Sequence, residues 1–156
     1  MGTFTVGRDV DAPAAQVWAA LVDWPRHGTW VPLTRVRVTT ATGEGVGAGF
    51  VGRSALGRLG FDDPMTVTGW QPPSGERPGR CDITKTGRVV LGVASFTVTA
   101  TGAATCRVQW SETIEIAGLR RVPLAGRVND LVGRIAFAGV LRRMATEVEA
   151  THRGTA

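Results

Sequence analysis

Residues 80–117 read RCDITKT, GR, VVLGVASFTVTAT, GAA and TCRVQWSETIEIA in succession. The three longer runs are rich in Val, Ile, Thr, Phe and Trp, the composition of strands. In the last run Cys106, Val108, Trp110, Ile114 and Ile116 share one parity, so one face is buried. Gly87-Arg88 and Gly102-Ala103-Ala104 are too short for a parallel crossover, so the runs form an antiparallel meander.

Working upstream, the polar loop Pro72 to Gly79 precedes the meander, and strands are expected at Phe61 to Trp70, Ala48 to Leu56, and around Val36 and Val38. At the other extreme, Phe4, Val6 and Val10 alternate along a first strand from Thr3 to Val10, with Arg8 an exception to the pattern. Pro13 then suits a helix start, and Ala14, Val17, Trp18 and Leu21 follow at helical spacing, which predicts a short helix over 13–23. Trp24-Pro25 ends it, because the residue before a proline avoids the helical region. Residues 26–32 make a second short turn or helix.

Downstream, a long helix is expected from near Pro123 to about His152. Leu124, Val128, Leu131, Val132 and Ile135 fall on one side of its wheel, while Phe137, Val140, Leu141, Met144 and Val148 fall almost opposite. The helix therefore either kinks near Gly133 or Gly139, or its two halves contact different things. The second half is expected on the sheet; the first covers a pocket or meets a partner subunit.

Seven strands with helices on one side give an α+β fold, a curved seven-stranded antiparallel sheet around a long C-terminal helix with two short helices after strand 1. One helix cannot fill the concave side of such a sheet, which predicts an apolar cavity. The 156 residues make one domain, with 43% hydrophobic and 20% charged residues in the globular range. No apolar run spans a bilayer and no signal or myristoylation pattern opens the chain, so the expectation is a cytoplasmic protein without integral membrane association.

The formal charge of +5 invites a nucleic-acid reading. Among the 18 basic residues, however, Lys85 is the single lysine, and the arginines are scattered among 13 acids. Only Arg120 to Arg143 is locally rich, so nucleic acid is not expected as a partner. Cys81 and Cys106 are read as small buried thiols, since neither His27 nor His152 stands near them at metal-ligand spacing. No metal or cofactor is expected. Gly47-Ala48-Gly49-Phe50-Val51-Gly52 matches GxGxxG, but a strand follows where the dinucleotide fingerprint needs a helix. Those glycines are read as allowing sheet curvature through bulges.

Several stretches resemble a known superfamily. Val10-Asp11-Ala12-Pro13 with Val17-Trp18, Leu21, Asp23-Trp24 and Trp30-Val31-Pro32 is similar to the opening of START-like/SRPBCC proteins, the Bet v 1-like helix-grip group. Asp63-Pro64-Met65, Trp70-Gln71-Pro72-Pro73 and Cys106 to Trp110 resemble its polyketide cyclase/dehydrase and lipid-transport-like branch. The resemblance spans the chain and implies a helix-grip fold that binds lipids, polyketides or other hydrophobic molecules, sometimes with cyclisation or dehydration.

Glu112 shares the apolar parity of Trp110 and Ile114, where an ionised carboxylate needs a partner or a raised pKa. Arg53, between Gly52 and Ser54, is a candidate cavity cation. Asp62 and Asp63 form a carboxylate pair of the kind used in general acid–base work, or ordinary strand entry before Pro64. His27 borders the expected pocket mouth and titrates near neutrality. Glu112, Asp63 and Arg53 are thus the candidate catalytic groups. The expected ligand-binding set is Trp30, Arg53, Met65, Trp70, Phe96, Trp110, Glu112, Leu131 and Ile135, with Trp24 a further wall.

The leading functional expectation is a binding protein for a hydrophobic small molecule. The alternatives are a polyketide cyclase/aromatase-like enzyme and an interaction module that homodimerises through Leu124, Leu131 and Ile135.

Overall fold

The computed structural model describes residues 2–56, 58–117 and 125–155. Seven strands form one antiparallel sheet: β1 (Gly2–Val10), β2 (Thr34–Val38), β3 (Gly49–Leu56), β4 (Leu59–Gln71), β5 (Gly79–Thr86), β6 (Val90–Gly102) and β7 (Thr105–Ile116). Their order is β1-β7-β6-β5-β4-β3-β2, a meander whose last strand takes the first as its outer neighbour. Between β1 and β2 lie α1 (Ala14–Val22), a 3-10 turn (Trp24–Arg26) and α2 (His27–Trp30). α3 (Ala125–Thr155) closes the chain. The seven-stranded antiparallel sheet expected from the alternation and the helix-grip fold implied by the resemblance are both present.

β4 begins at Leu59, well before Pro64, so Asp62-Asp63-Pro64 is strand interior and not strand entry. Pairing with β5 starts at Met65, so the missing N–H of Pro64 leaves no gap in that ladder. Register shifts occur at Val67/Gly69 and Ala100/Gly102. The glycines of the GxGxxG match curve nothing in this way. Gly45 and Gly47 take φ of +84° and +91° in the turn before β3, and the β3–β4 register is unbroken.

One end of the concave face is solid. Trp18 of α1 meets Trp70 and Phe96 at ring distances of 5.3 and 5.5 Å, over buried Val98, Cys106 and Val108. From α3, Leu141, Met144, Ala145 and Val148 are buried in the same core. Each large side chain so buried contributes about 1.5–3 kcal/mol.

α3 is helical from Ala125 to Thr155, and its halves differ in what they touch. Leu131, Val132 and Ile135 are 61%, 58% and 67% exposed. Among the described side chains, the stripe that faces the sheet instead includes Gly133, where a Cβ would stand 2.5 Å from Phe4 Cε1, and Phe137, 5.2 Å from the Phe4 ring. Leu124 lies outside the described residues, as does the side chain of Val128. Leu131 and Ile135 are therefore not cavity walls: the inward stripe passes through a glycine, and they stand off it.

The second half of α3 is tied to the 3-10 turn and α2 by polar contacts. Glu147 accepts Arg26 Nε at 2.6 Å, Trp30 Nε1 at 2.6 Å and Thr29 Oγ1 at 3.4 Å. Arg143 Nη1 donates to the Trp30 carbonyl at 2.8 Å. This clasp makes Trp30 a buried anchor between helices.

Candidate functional site

A cavity of about 240 Å³ lies between the sheet and the helices. At about 30 Å³ per liquid water this is the volume of about eight waters, enough for a small organic molecule. Strand parity chooses its walls. Phe61, Asp63 and Met65 face it from β4, Ile83 and Lys85 from β5, Ala94 from β6, and Trp110, Glu112 and Ile114 from β7. Phe50, Gly52 and Ser54 line it from β3. Trp24, His27 and Val31 border it on the α2 side, and Phe137 and Val140 of α3 close it.

The cavity is mostly apolar: His27, Thr34 and Ser54 add polar edges, and its carboxyl and amine side chains, Asp63, Lys85 and Glu112, form one cluster. Glu112 is 3% exposed and Oε1 accepts Trp110 Nε1–H at 3.1 Å. Lys85 Nζ donates to Asp63 Oδ2 at 2.9 Å, stands 3.9 Å from Glu112 Oε1 and touches Met65 Sδ at 3.7 Å. The reach of Lys85 follows from the ladder. It pairs with Gly92 of β6, and Glu112 pairs with Ala94, so only a glycine and an alanine separate them. Gly92 has φ +141°, and a Cβ there would collide with the Thr113 carbonyl. The position is open only to glycine.

Burial pushes the Glu112 carboxyl above its ordinary value, and the Lys85 ammonium and Trp110 N–H offset this only in part. Burial also opposes the charge on Lys85, but Glu112 and Asp63 outweigh it and hold the amine protonated. His27 Nε2 lies 2.7 Å from the Leu21 carbonyl, which only accepts, so this nitrogen carries the proton. Burial lowers the His27 pKa, leaving a neutral ring packed against Trp24, Trp30 and Trp110.

Of the residues singled out in the sequence, the structure brings Met65, Trp110, Glu112 and Asp63 together at the cavity, with Trp24 and His27 on its border. Arg53 is corrected: it is exposed and pairs with Asp62 at 2.9 Å, because Phe50, Gly52 and Ser54 are the inward positions of β3. Asp62 and Asp63 are not a functional pair, since the strand pleat sends them to opposite faces. Trp70 and Phe96 pack in the solid core against Trp18 and do not line the cavity. Lys85 was missed. Its signal was present: it shares parity with buried Cys81 and Ile83.

Both thiols are free and buried; burial pushes Cys81 up to about 12 and Cys106 up to about 11, values that leave them unreactive. Among the described residues, no three His, Cys, Asp or Glu side chains converge to hold a metal ion. None of the described helices is long and apolar enough to cross a membrane.

A curved sheet gripping a C-terminal helix around a largely apolar hollow defines a START-like, helix-grip protein. The chain belongs to the polyketide cyclase / dehydrase and lipid transport family, whose model matches residues 1–153. No curated protein matches it. Among solved structures it is similar to a Thermobifida fusca protein solved by NMR, at 21% identity and TM-score 0.68, with 95% of this chain and 93% of that one covered. A START superfamily protein from Mycobacterium smegmatis aligns over 100% of both chains at 12% identity and TM-score 0.67. The di-domain ARO/CYC protein BexL matches at 18% identity and TM-score 0.64, over 90% of this chain and 45% of that one. At such identities the likeness is one of fold.

Proposed function

We propose that the protein binds a hydrophobic small molecule in the cavity between the sheet and α3, with the polar end of the ligand at Lys85, Asp63 and Glu112. The observation that carries this reading is a hollow of about 240 Å³, walled mainly by aromatic and aliphatic groups, with its carboxyl and amine side chains gathered in one cluster. Such a division, apolar walls with a few convergent polar groups, is the usual build of a small-molecule site. Membership in a family of polyketide and lipid-handling proteins supports it. The test is a thermal-shift and native mass spectrometry screen of lipids and aromatic polyketide-like compounds, repeated on Val36→Trp. Val36 lines the cavity from edge strand β2, so the larger ring fills it with little strain. Hits on the wild type that Val36→Trp loses support the reading; hits retained in full refute it.

A second reading, a cyclase/aromatase-like enzyme, is favoured by the same cluster. Glu112, with its raised pKa, is suited to deliver a proton, and Lys85 to stabilise oxyanion charge. Turnover of a poly-β-keto substrate that Glu112→Gln abolishes while binding persists would select this reading. A third, dimerisation through α3, draws on the exposed Leu131 and Ile135. Light scattering on wild type and Ile135→Asp decides it: equal monomeric masses dispose of a dimer.

A further inference from the structure

The cavity cluster holds three ionisable groups, only one of them a cation. An ammonium has three N–H donors. Lys85 spends one on Asp63 Oδ2 at 2.9 Å; the 3.9 Å approach to Glu112 is too long for a hydrogen bond, and Met65 Sδ at 3.7 Å is a weak acceptor. Asp63 Oδ1 is buried and unpartnered. The cluster thus has hydrogen-bonding capacity to spare on both the donor and the acceptor side. It has no positive charge to spare, because two carboxylates already face the single ammonium.

That imbalance has a consequence for the ligand. A carboxylate entering the cavity meets like charge on Asp63, and meets the same burial that disfavours the anionic form of Glu112, in surroundings where charges are poorly screened. A hydroxyl or carbonyl meets no such repulsion, and it satisfies the spare Lys85 donor, while a hydroxyl also reaches an acceptor. We infer that the cavity selects neutral, oxygen-bearing apolar molecules (phenols, alcohols, ketones) and rejects the matching carboxylates, with Asp63 and Glu112 as the residues that enforce the choice. This rests on the proposed binding function and names the ligand class for that site.

The test uses a matched bicyclic pair, naphthol and naphthoate, titrated calorimetrically into the full chain near neutral pH. Wild type is expected to bind naphthol at least about tenfold tighter, since like-charge juxtaposition costs several kcal/mol. Asp63→Asn and Glu112→Gln, singly and together, are expected to raise naphthoate affinity by about tenfold and so to narrow the naphthol-to-naphthoate affinity ratio. Should a variant unfold by circular dichroism, the wild-type pair alone decides. Equal binding of both compounds, or tighter binding of naphthoate, overturns the selectivity and leaves the binding function standing. If neither compound binds the wild type, the selectivity and the binding function both fall.

Discussion

The two ends of the concave face are built from the same strands and differ in what fills them. At one end Phe96, Val98 and Val108 pack with Trp18 of α1 and Leu141 and Met144 of α3 in one buried cluster. At the other, Ala94, Glu112 and Ile114 of the same β6 and β7 face a hollow that, among the described side chains of α3, Phe137 and Val140 reach. The difference comes from α1, which covers one end alone, and from small inward residues (Gly52, Ser54, Ala94) at the other. The volume left unfilled at the second end makes the site.

The largest expected blow falls at the hollow end. Lys85→Met strands two carboxylates in a buried site, and losing one partner of a buried pair costs about 3–5 kcal/mol. Because the Glu112 carboxyl titrates above its ordinary 4.5, its protonated form suits the fold. Its contribution is whole below 4.5 and lost as pH rises through the higher folded value. Urea denaturation should therefore show the Lys85→Met deficit shrinking as pH falls toward that region; a deficit independent of pH would contradict the cluster.

At the solid end Leu141→Ala should cost about 3 kcal/mol by denaturation, because a closed core cannot relax into the space left behind. A cost below about 1 kcal/mol would mean the two ends do not differ as described. Smaller again is the effect of His27, whose folded pKa is depressed below 6.5 by burial. Its contribution is present above 6.5 and lost as pH falls through the folded value, so His27→Gln should flatten the acid limb of the stability curve. Smallest is Arg53→Ala. Its pair with Asp62 is exposed, and the substitution should change stability by less than about 0.5 kcal/mol and ligand binding not at all. A binding defect in that variant would return Arg53 to the site.

Period-2 alternation made nearly every strand legible, because a one-residue slip would expose the core face. Glu112 was legible for the same reason: a lone acid on an otherwise apolar parity has to be accommodated inside. Arg53 was misread although its parity, opposite to that of Phe50, places it outward. Lys85 escaped because an amine near a strand end resembles an ordinary solvated terminus until Gly92 and Ala94 are seen to open the way to Glu112. Trp70 and Phe96 fall in the solid core only because α1 docks there, a tertiary choice with no local signature. Leu131 and Ile135 misled because the stripe of α3 that meets the sheet includes Gly133, which carries no hydrophobic signal.

A crystal structure of the protein soaked with naphthol tests the binding site most directly. The ring should lie among Phe61, Trp110 and Phe137, with its hydroxyl within hydrogen-bond distance of Lys85 or Asp63. A cavity holding only ordered water at saturating naphthol, or naphthol bound solely on the outer surface, would contradict the account.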